Sequence, residues 1–414
     1  PPPPPAVQAE DGIRDSVNGL VGSEMCIRDR PRAMPEMNGT DVFRFKGIGS
    51  ADHTSNLALP LDDNQLASII YTSGSTGKPK GVMLSHGNIW ANAKSICNYL
   101  ALSSNDVQMV VLPFFYVLGK SLLNTHFSVG GTVVISNKFA FPASVLNQMV
   151  DEQVTGFSGV PSTYAFLLNR SPLKAYRDKL TSLRYCSQAG GHMARRIKTE
   201  LRETLPEHTD IVIMYGATEA SARLTYLDPK YFKSKKDSIG RPIPGVTLKV
   251  VGTNGEELGV GEKGELVASG ANIMQGYWKD EEATDRALKN NGYHTGDIAY
   301  KDRDGFYYVT GRDDNLIKSG GHRINPQEVE DCIMDTGLVV EVVVVGIPDK
   351  LLGLKLVAVV ETKENKITSD DILRKCAQDL PKYKLPGKIT LVRALPKKAS
   401  GKIDREKCLV FAES

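Results

Sequence analysis

The segment YTSGSTGKPKG (71–81) places glycines, hydroxyl side chains and lysines directly after a short apolar run. Glycine lets the backbone approach a ligand closely and adopt positive φ angles. Free backbone N–H groups and hydroxyls can surround phosphate oxygens, and lysine adds positive charge. A flexible polar loop is the alternative interpretation. The phosphate-binding candidates are Thr72, Ser73, Gly74, Ser75, Thr76, Gly77, Lys78 and Lys80.

The spacing in this loop differs from that of the Walker phosphate loop. A Walker loop has four residues between its glycines and a serine or threonine after its lysine. Here only two residues separate Gly74 from Gly77, and Pro79 follows Lys78. No predicted strand is followed by the G-x-G-x-x-G pattern of dinucleotide-binding folds. The sequence therefore argues against a P-loop kinase or ATPase and against a lone dinucleotide site.

Three further segments carry residues suited to binding a nucleotide. IMYGATEA (213–220) supplies an aromatic ring, a hydroxyl and a hard oxygen ligand at the end of a predicted strand. SQAGGHM (187–193) has adjacent glycines that permit close approach of the backbone, and GYHTGD (292–297) ends in a carboxylate that can accept two hydroxyl protons. Taken alone, each has a plainer interpretation: an acid at a helix N-terminus, a strand-to-helix turn and a surface turn.

The string TSGSTGKPKG resembles the signature of the adenylate-forming superfamily, which contains acyl-CoA synthetases, aryl-CoA ligases, luciferases and the adenylation domains of peptide synthetases. Two charged segments, GRDDNLIKSGGHRINPQEVE (311–330) and PKKASGKIDR (396–405), complete a set of motifs in family order from about residue 66 to 405. The resemblance implies an AMP-forming acid–thiol ligase. Such an enzyme turns a carboxylic acid and ATP into an acyl-adenylate and pyrophosphate, and then transfers the acyl group to CoA. It also implies Mg²⁺ as the metal that accompanies ATP.

The resemblance assigns a role to each matched nucleotide-site residue. Tyr215 would stack on adenine, Thr218 would bond the α-phosphate and Glu219 would hold Mg²⁺. Asp297 would bind the ribose hydroxyls, and Arg312 would contact ribose or phosphate. The other matched positions near the nucleotide are Gly190, Gly191, Gly216, Ala217, Lys318 and Arg323.

The last motifs are matched to the two half-reactions. Lys402 corresponds to the adenylation lysine, which bridges the carboxylate and the α-phosphate. Negative charge builds on phosphorus as the carboxylate attacks, and an ammonium group can stabilise it. Asp314 falls on the hinge about which the C-terminal domain rotates between half-reactions. Gly320 and Gly321 would line the path of the pantetheine thiol. Without the resemblance these are charged or flexible loop residues.

The acid is less well defined by the sequence. In LPFFYVLGKS (112–121), Tyr116 stands where many acyl-CoA ligases carry histidine, and the aspartate that pairs with an amino acid's ammonium group is missing. Tyr116 and Ala189 are the candidates for an apolar acyl pocket. Phe114 and Phe115 fit either this pocket or the sheet core. A fatty or aryl acid is therefore predicted. Free CoA is the predicted acceptor, because no carrier-protein segment is evident, and an acyl carrier protein remains the alternative.

Short apolar runs alternate with amphipathic stretches, which predicts an α/β fold with a buried sheet. The segment after about residue 238 has frequent turn residues and predicts a small antiparallel β-domain, and an α+β region follows residue 314. Predicted strands are Ala67–Tyr71, Val107–Pro113, Gly131–Ile135, Gly156–Gly159, Leu183–Ser187, Ile211–Tyr215, Val339–Gly346, Lys355–Thr362 and Lys388–Leu395. Predicted helices are Asn88–Leu100, Met193–Leu205, Asn325–Asp335 and Ser369–Asp379.

These elements predict a large N-terminal α/β domain at 35–312, with a β-subdomain at about 238–310, and an α+β domain at 315–414, which the resemblance implies is a mobile C-terminal lid. Residues 1–34 are predicted to be a non-native or disordered leader, because they open with five prolines and lack a helical or strand period. A weak strand is predicted at 41–46. Only 70 residues precede the phosphate loop, fewer than is usual in the family that the sequence resembles, so the resemblance implies an incomplete N-terminal domain. A truncated nucleotide-binding protein without turnover is therefore an alternative.

The overall composition excludes several other classes of function. The 51 Lys+Arg and 48 Asp+Glu residues give a net charge of +3, without the basic cluster typical of nucleic-acid binding. The sequence contains no run of about 18 apolar residues, so no membrane-spanning helix is predicted. The six cysteines include no close pair, which argues against a zinc site or a disulfide framework and favours a reduced, cytoplasmic location.

Overall fold

The computed structural model describes residues 62–73, 79–289, 292–312, 315–364 and 366–413. The leader and the weak strand predicted near the N-terminus lie outside these ranges. In chain order, the strands of the described part are β1 (Leu66–Ser73), β2 (Pro79–Ser85), β3 (Val107–Val110), β4 (Thr132–Ile135), β5 (Gly156–Gly159), β6 (Tyr185–Gln188), β7 (Asp210–Tyr215), β8 (Thr225–Leu227), β9 (Arg241–Pro242), β10 (Val246–Val251), β11 (Gly264–Gly270), β12 (Gly276–Tyr277), β13 (Leu288–Lys289), β14 (Gly292–Lys301), β15 (Tyr307–Arg312), β16 (Ile317–Ser319), β17 (His322–Ile324), β18 (Val339–Asp349), β19 (Gly353–Thr362) and β20 (Lys388–Val392).

The helices connect these strands and cover the sheets. In chain order they are α1 (His86–Tyr99), α2 (Val117–Ser128), α3 (Pro142–Asp151), α4 (Pro161–Arg170), α5 (Leu173–Tyr176), α6 (Arg195–Thr204), α7 (Phe232–Lys235), α8 (Glu281–Ala287), α9 (Pro326–Asp335), α10 (Ser369–Asp379) and α11 (Arg405–Glu413).

The central sheet has the strand order β4-β3-β5-β6-β7-β8-β9, and its strands from β4 to β7 in that order run parallel. Side chains alternate between the faces of a strand, so Met109 joins the core with α3, α4 and α6 while Val110 packs against Leu122 of α2. Burial on both faces explains why these strands are continuous apolar runs. The parallel strands place the segments that follow β6 and β7 at one edge of the sheet.

Predicted strand ends differ from the observed ones where the partner or the path of the chain changes. The strand predicted to reach Pro113 ends at Val110, because the chain turns there and the Tyr116 N–H donates to the Pro113 carbonyl at 3.2 Å. The strand predicted to reach Leu395 ends at Val392, whose partner Glu361 lies one residue before the end of β19. The other predicted elements are confirmed to within a few residues at each end.

Two antiparallel sheets flank the central sheet. One has the order β1-β2-β12, and the sequence interpretation did not include β2 or β12. The other has the order β10-β11-β14-β13 with β15 against β14, which confirms the predicted antiparallel β region after residue 238.

The C-terminal sheet has the order β17-β16-β19-β18, with β20 parallel to β19. Its hairpin β18–β19 pairs residues from Val339 to Thr362, and apolar residues of α9 and α10 pack against it. Helix α9 begins at Pro326 because Asn325 caps it, accepting a hydrogen bond from the Gln327 N–H. This is the predicted α+β arrangement.

Lys198 of α6 is buried, with 3% of its surface exposed, and its Nζ donates to the Lys236 carbonyl at 2.6 Å. Burial lowers the pKa of this ammonium group to about 8. The unfolded chain, with its ordinary lysine pKa, therefore binds more protons than the folded protein between about pH 8 and 10.5, and stability should rise with pH in that window.

Between pH 7.5 and 10, the wild-type protein is expected to gain about 2 kcal/mol in free energy of unfolding relative to Lys198→Met. Urea unfolding of both proteins at the two pH values measures the difference. Lys94→Met, which removes an exposed lysine, is the control and should follow the wild type. Parallel pH curves for wild type and Lys198→Met would contradict a depressed lysine pKa.

Candidate active site

The predicted phosphate loop connects the two strands of a hairpin. Strands β1 and β2 are antiparallel, with Thr72 opposite Lys80. Hydrogen-bonded strands on both flanks therefore fix the base of the loop. The loop residues Gly74, Ser75, Thr76, Gly77 and Lys78 lie outside the described residues, and Ser73 is described only as the last residue of β1.

The hairpin lies beside the predicted metal ligand through Tyr277, a residue that the sequence interpretation missed. Strand β12 pairs with β2, which holds Tyr277 opposite Val82. The Tyr277 hydroxyl donates to Glu219 Oε1 at 2.8 Å, and Lys80 Nζ lies 5.0 Å from the centre of the same ring. Burial, and then the charge of Glu219, raise the pKa of Tyr277 well above its ordinary value, so it remains a donor. The predicted phosphate and metal residues thus meet around one phenol.

The predicted adenine and ribose residues are in direct contact. Tyr215 lies at the carboxyl end of β7, and its hydroxyl donates to Asp297 Oδ2 at 2.5 Å. Asp297 of β14 pairs in register with Arg312 of β15, and Arg312 Nε lies 3.7 Å from Asp297 Oδ1. Burial, and then the charge of Asp297, raise the pKa of Tyr215 well above its usual range. Three residues from distant motifs therefore form one polar group.

The loop after β7 folds back tightly on itself. Thr218–Ala220 forms a 3₁₀ turn, and the Leu224 N–H donates to the Tyr215 carbonyl at 2.9 Å. Gly216 is required here, since a Cβ at this position would lie 2.1 Å from the Ala222 carbonyl oxygen. The Glu219 carbonyl accepts from the Met274 N–H at 2.8 Å, which fixes the acid's backbone. Ala217 is the first residue of the hydrogen-bonded turn, and its carbonyl accepts from the Ala220 N–H at 3.1 Å.

The predicted adenylation lysine reaches across to the N-terminal part of the chain. Lys402 Nζ lies 5.2 Å from the centre of the Tyr116 ring. A Cβ on Gly190 would lie 2.6 Å from the Tyr116 hydroxyl oxygen and 3.4 Å from Lys402 Cε, so the glycine leaves room for both side chains. Gly190 also has a positive φ of 85°, which favours glycine. Ser162 Oγ donates to the carbonyl of Gly401, next to the lysine.

The predicted acyl residues fall into two groups. Tyr116 and Ala189 belong to one apolar cluster with Val160 and Met214, between the ends of β6 and β7. Phe114 packs instead with Val110, Leu122 and Val133, on the sheet core. Gly191, the second glycine of its motif, accepts at its carbonyl from the Gln188 side chain at 2.7 Å. The arrangement brings Tyr116 and Ala189, but not Phe114, toward Lys402.

The double-glycine segment is a turn within the C-terminal sheet. Lys318 of β16 pairs with Arg323 of β17, and Gly320 and Gly321 have positive φ angles of 55° and 81°. The Gly320 N–H donates to the Leu352 carbonyl at 2.9 Å. These contacts place the turn next to the start of β19. Lys402, in contrast, lies beside Tyr116. Asp314, the predicted hinge, is outside the described residues.

Polar contacts join the C-terminal region to the N-terminal region. Arg170 of α4 forms an ion pair with Glu361 at 3.0 Å, and Lys363 forms one with Glu200 of α6 at 3.3 Å. His192 Nε2 is hydrogen-bonded to Asp331 of α9 at 2.9 Å. These contacts accompany the position of Lys402 beside Tyr116.

Two family models match the chain: "AMP-binding enzyme" over residues 20–278 and "AMP-binding enzyme C-terminal domain" over residues 328–402. The chain belongs to the AMP-binding enzyme family. The first match begins inside the predicted leader, so the boundary at residue 34 remains a prediction.

Relatives of this chain include CoA ligases. The 2-succinylbenzoate–CoA ligase of Bacillus mycoides is 35% identical over 348 residues, which are 83% of this chain and 70% of the ligase. The feruloyl-CoA synthase of an Amycolatopsis species is 35% identical over 355 residues, 85% of this chain and 70% of the synthase. Solved structures of o-succinylbenzoate CoA synthetase from Bacillus subtilis, with its acyl-adenylate and with ATP and a magnesium ion, have TM-scores of 0.73 and 0.72 at 32% identity. Each of these two matches covers 84% of this chain and 70% of the synthetase chain.

These matches confirm the predicted superfamily, the fold class and the reaction class of an AMP-forming acid–CoA ligase. The chain spans between 63% and 70% of the length of the relatives compared by sequence. In the described ranges, no helix has both the length and the apolar character needed to cross a bilayer.

Tyr277→Phe is expected to raise the KM for MgATP about 10-fold or more in acid-dependent exchange of pyrophosphate into ATP. A hydrogen bond to a charged group contributes ~1.5–3 kcal/mol, and this one orients Glu219. Tyr300→Phe, in which the altered ring stacks on Tyr308 away from Glu219, is the control. A KM unchanged from the wild-type value would mean that other contacts suffice to hold the Glu219 carboxylate.

Proposed function

We propose that this protein joins a carboxylic acid to CoA in two steps through an acyl-adenylate. The observation that carries the proposal is the position of Lys402 against Tyr116 and Gly190, at the sheet edge that also bears Glu219. The ammonium group of Lys402 is thereby placed beside Tyr116, a candidate residue of the acyl pocket. Tyr215 and Asp297, which are hydrogen-bonded to each other, would bind the nucleoside.

In the first step a carboxylate oxygen of the acid attacks the α-phosphorus of ATP. The new oxygen–phosphorus bond forms as the bond to pyrophosphate breaks, and negative charge increases on the phosphorus oxygens. Lys402 stabilises that charge and holds the two reactants in line. Thr218 donates its hydroxyl to the α-phosphate, and the loop between Thr72 and Lys80 binds the departing pyrophosphate.

Glu219 fits a magnesium ion. It offers a carboxylate with one oxygen hydrogen-bonded to Tyr277, and magnesium is commonly held by one or two carboxylates together with phosphate oxygens and water. When bound, the ion supplies positive charge to the pyrophosphate group.

In the second step the thiol of CoA attacks the acyl carbon of the adenylate and AMP leaves. We propose that the C-terminal domain, residues 315–414, rotates about Asp314, which withdraws Lys402 and brings the Gly320–Gly321 turn toward the acyl group. The proposal starts from an arrangement in which Lys402 lies beside the Tyr116 ring, while the Gly320 N–H donates to the Leu352 carbonyl of the C-terminal region. Arg312, Lys318 and Arg323 would contact the nucleotide or CoA.

We propose a fatty or aryl acid, with the aryl class favoured by the relatives that act on 2-succinylbenzoate and on ferulate. Tyr116 and Ala189 lie in an apolar cluster suited to such a group. Free CoA is the proposed acceptor, with an acyl carrier protein as the alternative, and a cytoplasmic location follows from the supply of ATP and CoA.

The test is acid-dependent exchange of labelled pyrophosphate into ATP over a panel of fatty, aryl and amino acids. Exchange with a fatty or aryl acid, followed by CoA-dependent release of AMP, is expected. Exchange with release of AMP only to a carrier protein would identify the alternative acceptor. Thermal stabilisation by ATP without exchange for any acid would reveal a nucleotide-binding protein without turnover, and would overturn the proposal.

A further inference from the structure

Arg223 is buried in the interior of the protein, with 2% of its surface exposed. Arginine is rarely buried completely unless it is paired with an acid, because removing a guanidinium from water is costly. Its backbone is fixed, since the side chains of Asn92 and Asn272 both donate to the Arg223 carbonyl, at 2.8 and 3.0 Å. The side chain is therefore held at a defined place in the core.

The partners of this guanidinium are weak or neutral. Its Nε donates to the Met214 sulfur at 3.3 Å and its Nη1 to the Ala222 carbonyl at 3.1 Å. A thioether is a poor acceptor, and a guanidinium has five N–H donors. The titratable groups that act on Arg223 are the phenols of Tyr99, which is also hydrogen-bonded to the guanidinium, and Tyr116, and burial lowers the pKa of Arg223. Within the described ranges, no Asp or Glu forms an ion pair with it.

Buried acids in the described part of the chain have cationic partners, whereas the buried ammonium group of Lys198, like Arg223, donates to a backbone carbonyl. Glu330 is paired with Arg405 at 2.6 Å, and Glu341 with Lys397 at 2.8 Å. Both carboxylates are at most 8% exposed, as Arg223 is, yet each has a cation within ion-pair distance. The interior thus compensates its buried acids, while the positive charge of Arg223 faces only phenols, a sulfur and a carbonyl.

Arg223 also lies at the proposed acid site. It follows the loop that carries Thr218 and Glu219, and its Cα would lie 2.7 Å from a Cβ on Gly216. Its partner Met214 belongs to the apolar cluster of Tyr116 and Ala189. The apolar cluster thus adjoins two cations: Lys402, whose Nζ is 5.2 Å from the centre of the Tyr116 ring, and Arg223, which is hydrogen-bonded to Met214.

We propose that the acid carries a second anionic group, a carboxylate, and that Arg223 binds it while Lys402 orients the carboxylate that is adenylated. This inference rests on the proposed function and names its substrate class as a dicarboxylic acid. The second carboxylate would supply the acceptor oxygens that a guanidinium binds in a bidentate manner. The apolar cluster around Tyr116 would then contact the carbon skeleton between the two charges.

The experiment compares matched acids that differ only by the second carboxylate: hexanoate with adipate, octanoate with suberate, and 4-phenylbutanoate with its ortho-carboxy derivative. Pyrophosphate exchange is measured for the wild type, Arg223→Met, Arg223→Lys and the control Arg177→Met, which removes an exposed guanidinium. The wild type is expected to prefer one diacid by about 100-fold or more in kcat/KM, because a buried unpaired charge rejects the analogue that leaves it unpaired. Arg223→Met should lower kcat/KM for the diacid by about 100-fold more than kcat/KM for the matched monoacid, which abolishes the preference, and Arg223→Lys should keep part of it.

Calorimetric binding of the diacid in the presence of AMP gives a readout that does not need turnover. Exchange with monoacids but no diacid preference in the wild type would overturn the inference and leave the proposed function standing. An equal loss for both acids in Arg223→Met, with a lower melting temperature, would make the arginine structural and also overturn it. Arg223-dependent binding of a diacid without exchange for any acid would support the binding site and overturn the proposed function.

Discussion

Lys402→Ala is expected to slow acid-dependent exchange of pyrophosphate into ATP by about 100- to 1,000-fold, the usual cost of removing one group that stabilises charge in a transition state. The effect should fall on kcat more than on the KM of the acid, because the ammonium group acts most strongly as charge builds on phosphorus. Transfer of the acyl group from chemically prepared acyl-adenylate to CoA should change by only a few-fold. The two half-reactions, measured separately, test this difference.

Lys398→Ala is the matched control for that experiment. Lys398 lies in the same turn, and its backbone N–H donates to the Lys402 carbonyl at 2.8 Å, a bond that the substitution keeps. The control should keep both half-reactions near wild-type rates. Equal losses of adenylation and acyl transfer in Lys402→Ala would mean that the lysine supports the domain rather than the first step.

The sequence predicted those parts of the molecule that depend on local pattern. The strands of the parallel sheet are apolar runs because both faces are buried, so β5, β6 and β7 could be recognised without a structure. The chemistry-bearing segments after β6 and β7 could be assigned because each motif is a contiguous string. Residues that need only their neighbours in sequence, such as the Asn325 cap of α9, were likewise within reach.

The parts that escaped prediction depend on contacts between distant segments. Tyr277 and Glu219 are hydrogen-bonded although 58 residues separate them in sequence. The pairing of β12 with β2 brings them together, and a strand of two residues is too short to show a periodic pattern in the sequence. Arg223 looks like an ordinary surface arginine in sequence, since burial of a charge is decided by the elements that close around it. Lys402 could be matched to a motif, but its position against Tyr116 depends on how the C-terminal domain packs.

Gly190→Ala is expected to slow pyrophosphate exchange by about 100-fold. Among substitutions at the acid site, only Lys402→Ala is expected to have a larger effect. The added methyl group would lie 2.6 Å from the Tyr116 hydroxyl oxygen and 3.4 Å from Lys402 Cε, so both side chains would have to move. The φ of 85° adds backbone strain of roughly 1–2 kcal/mol for a residue with a Cβ. A displacement of about 1 Å at a reacting group can lower the rate 100-fold. The loss of exchange activity, expressed as activation free energy, should therefore exceed the loss in free energy of unfolding.

The double variant Gly190→Ala/Tyr116→Phe separates the steric effect from the strain. Removing the hydroxyl opens the space that the methyl group needs, so Lys402 can return to its place and about 10-fold of the exchange rate should be recovered relative to Gly190→Ala. Tyr116→Phe alone, measured in parallel, corrects for the hydroxyl's own contribution in a double-mutant cycle. The melting temperature of the double variant should stay below that of Tyr116→Phe, because the strained φ remains. Additive losses with no recovery would show that Gly190 acts through its backbone conformation alone and that the contact between Tyr116 and Lys402 does not set the rate.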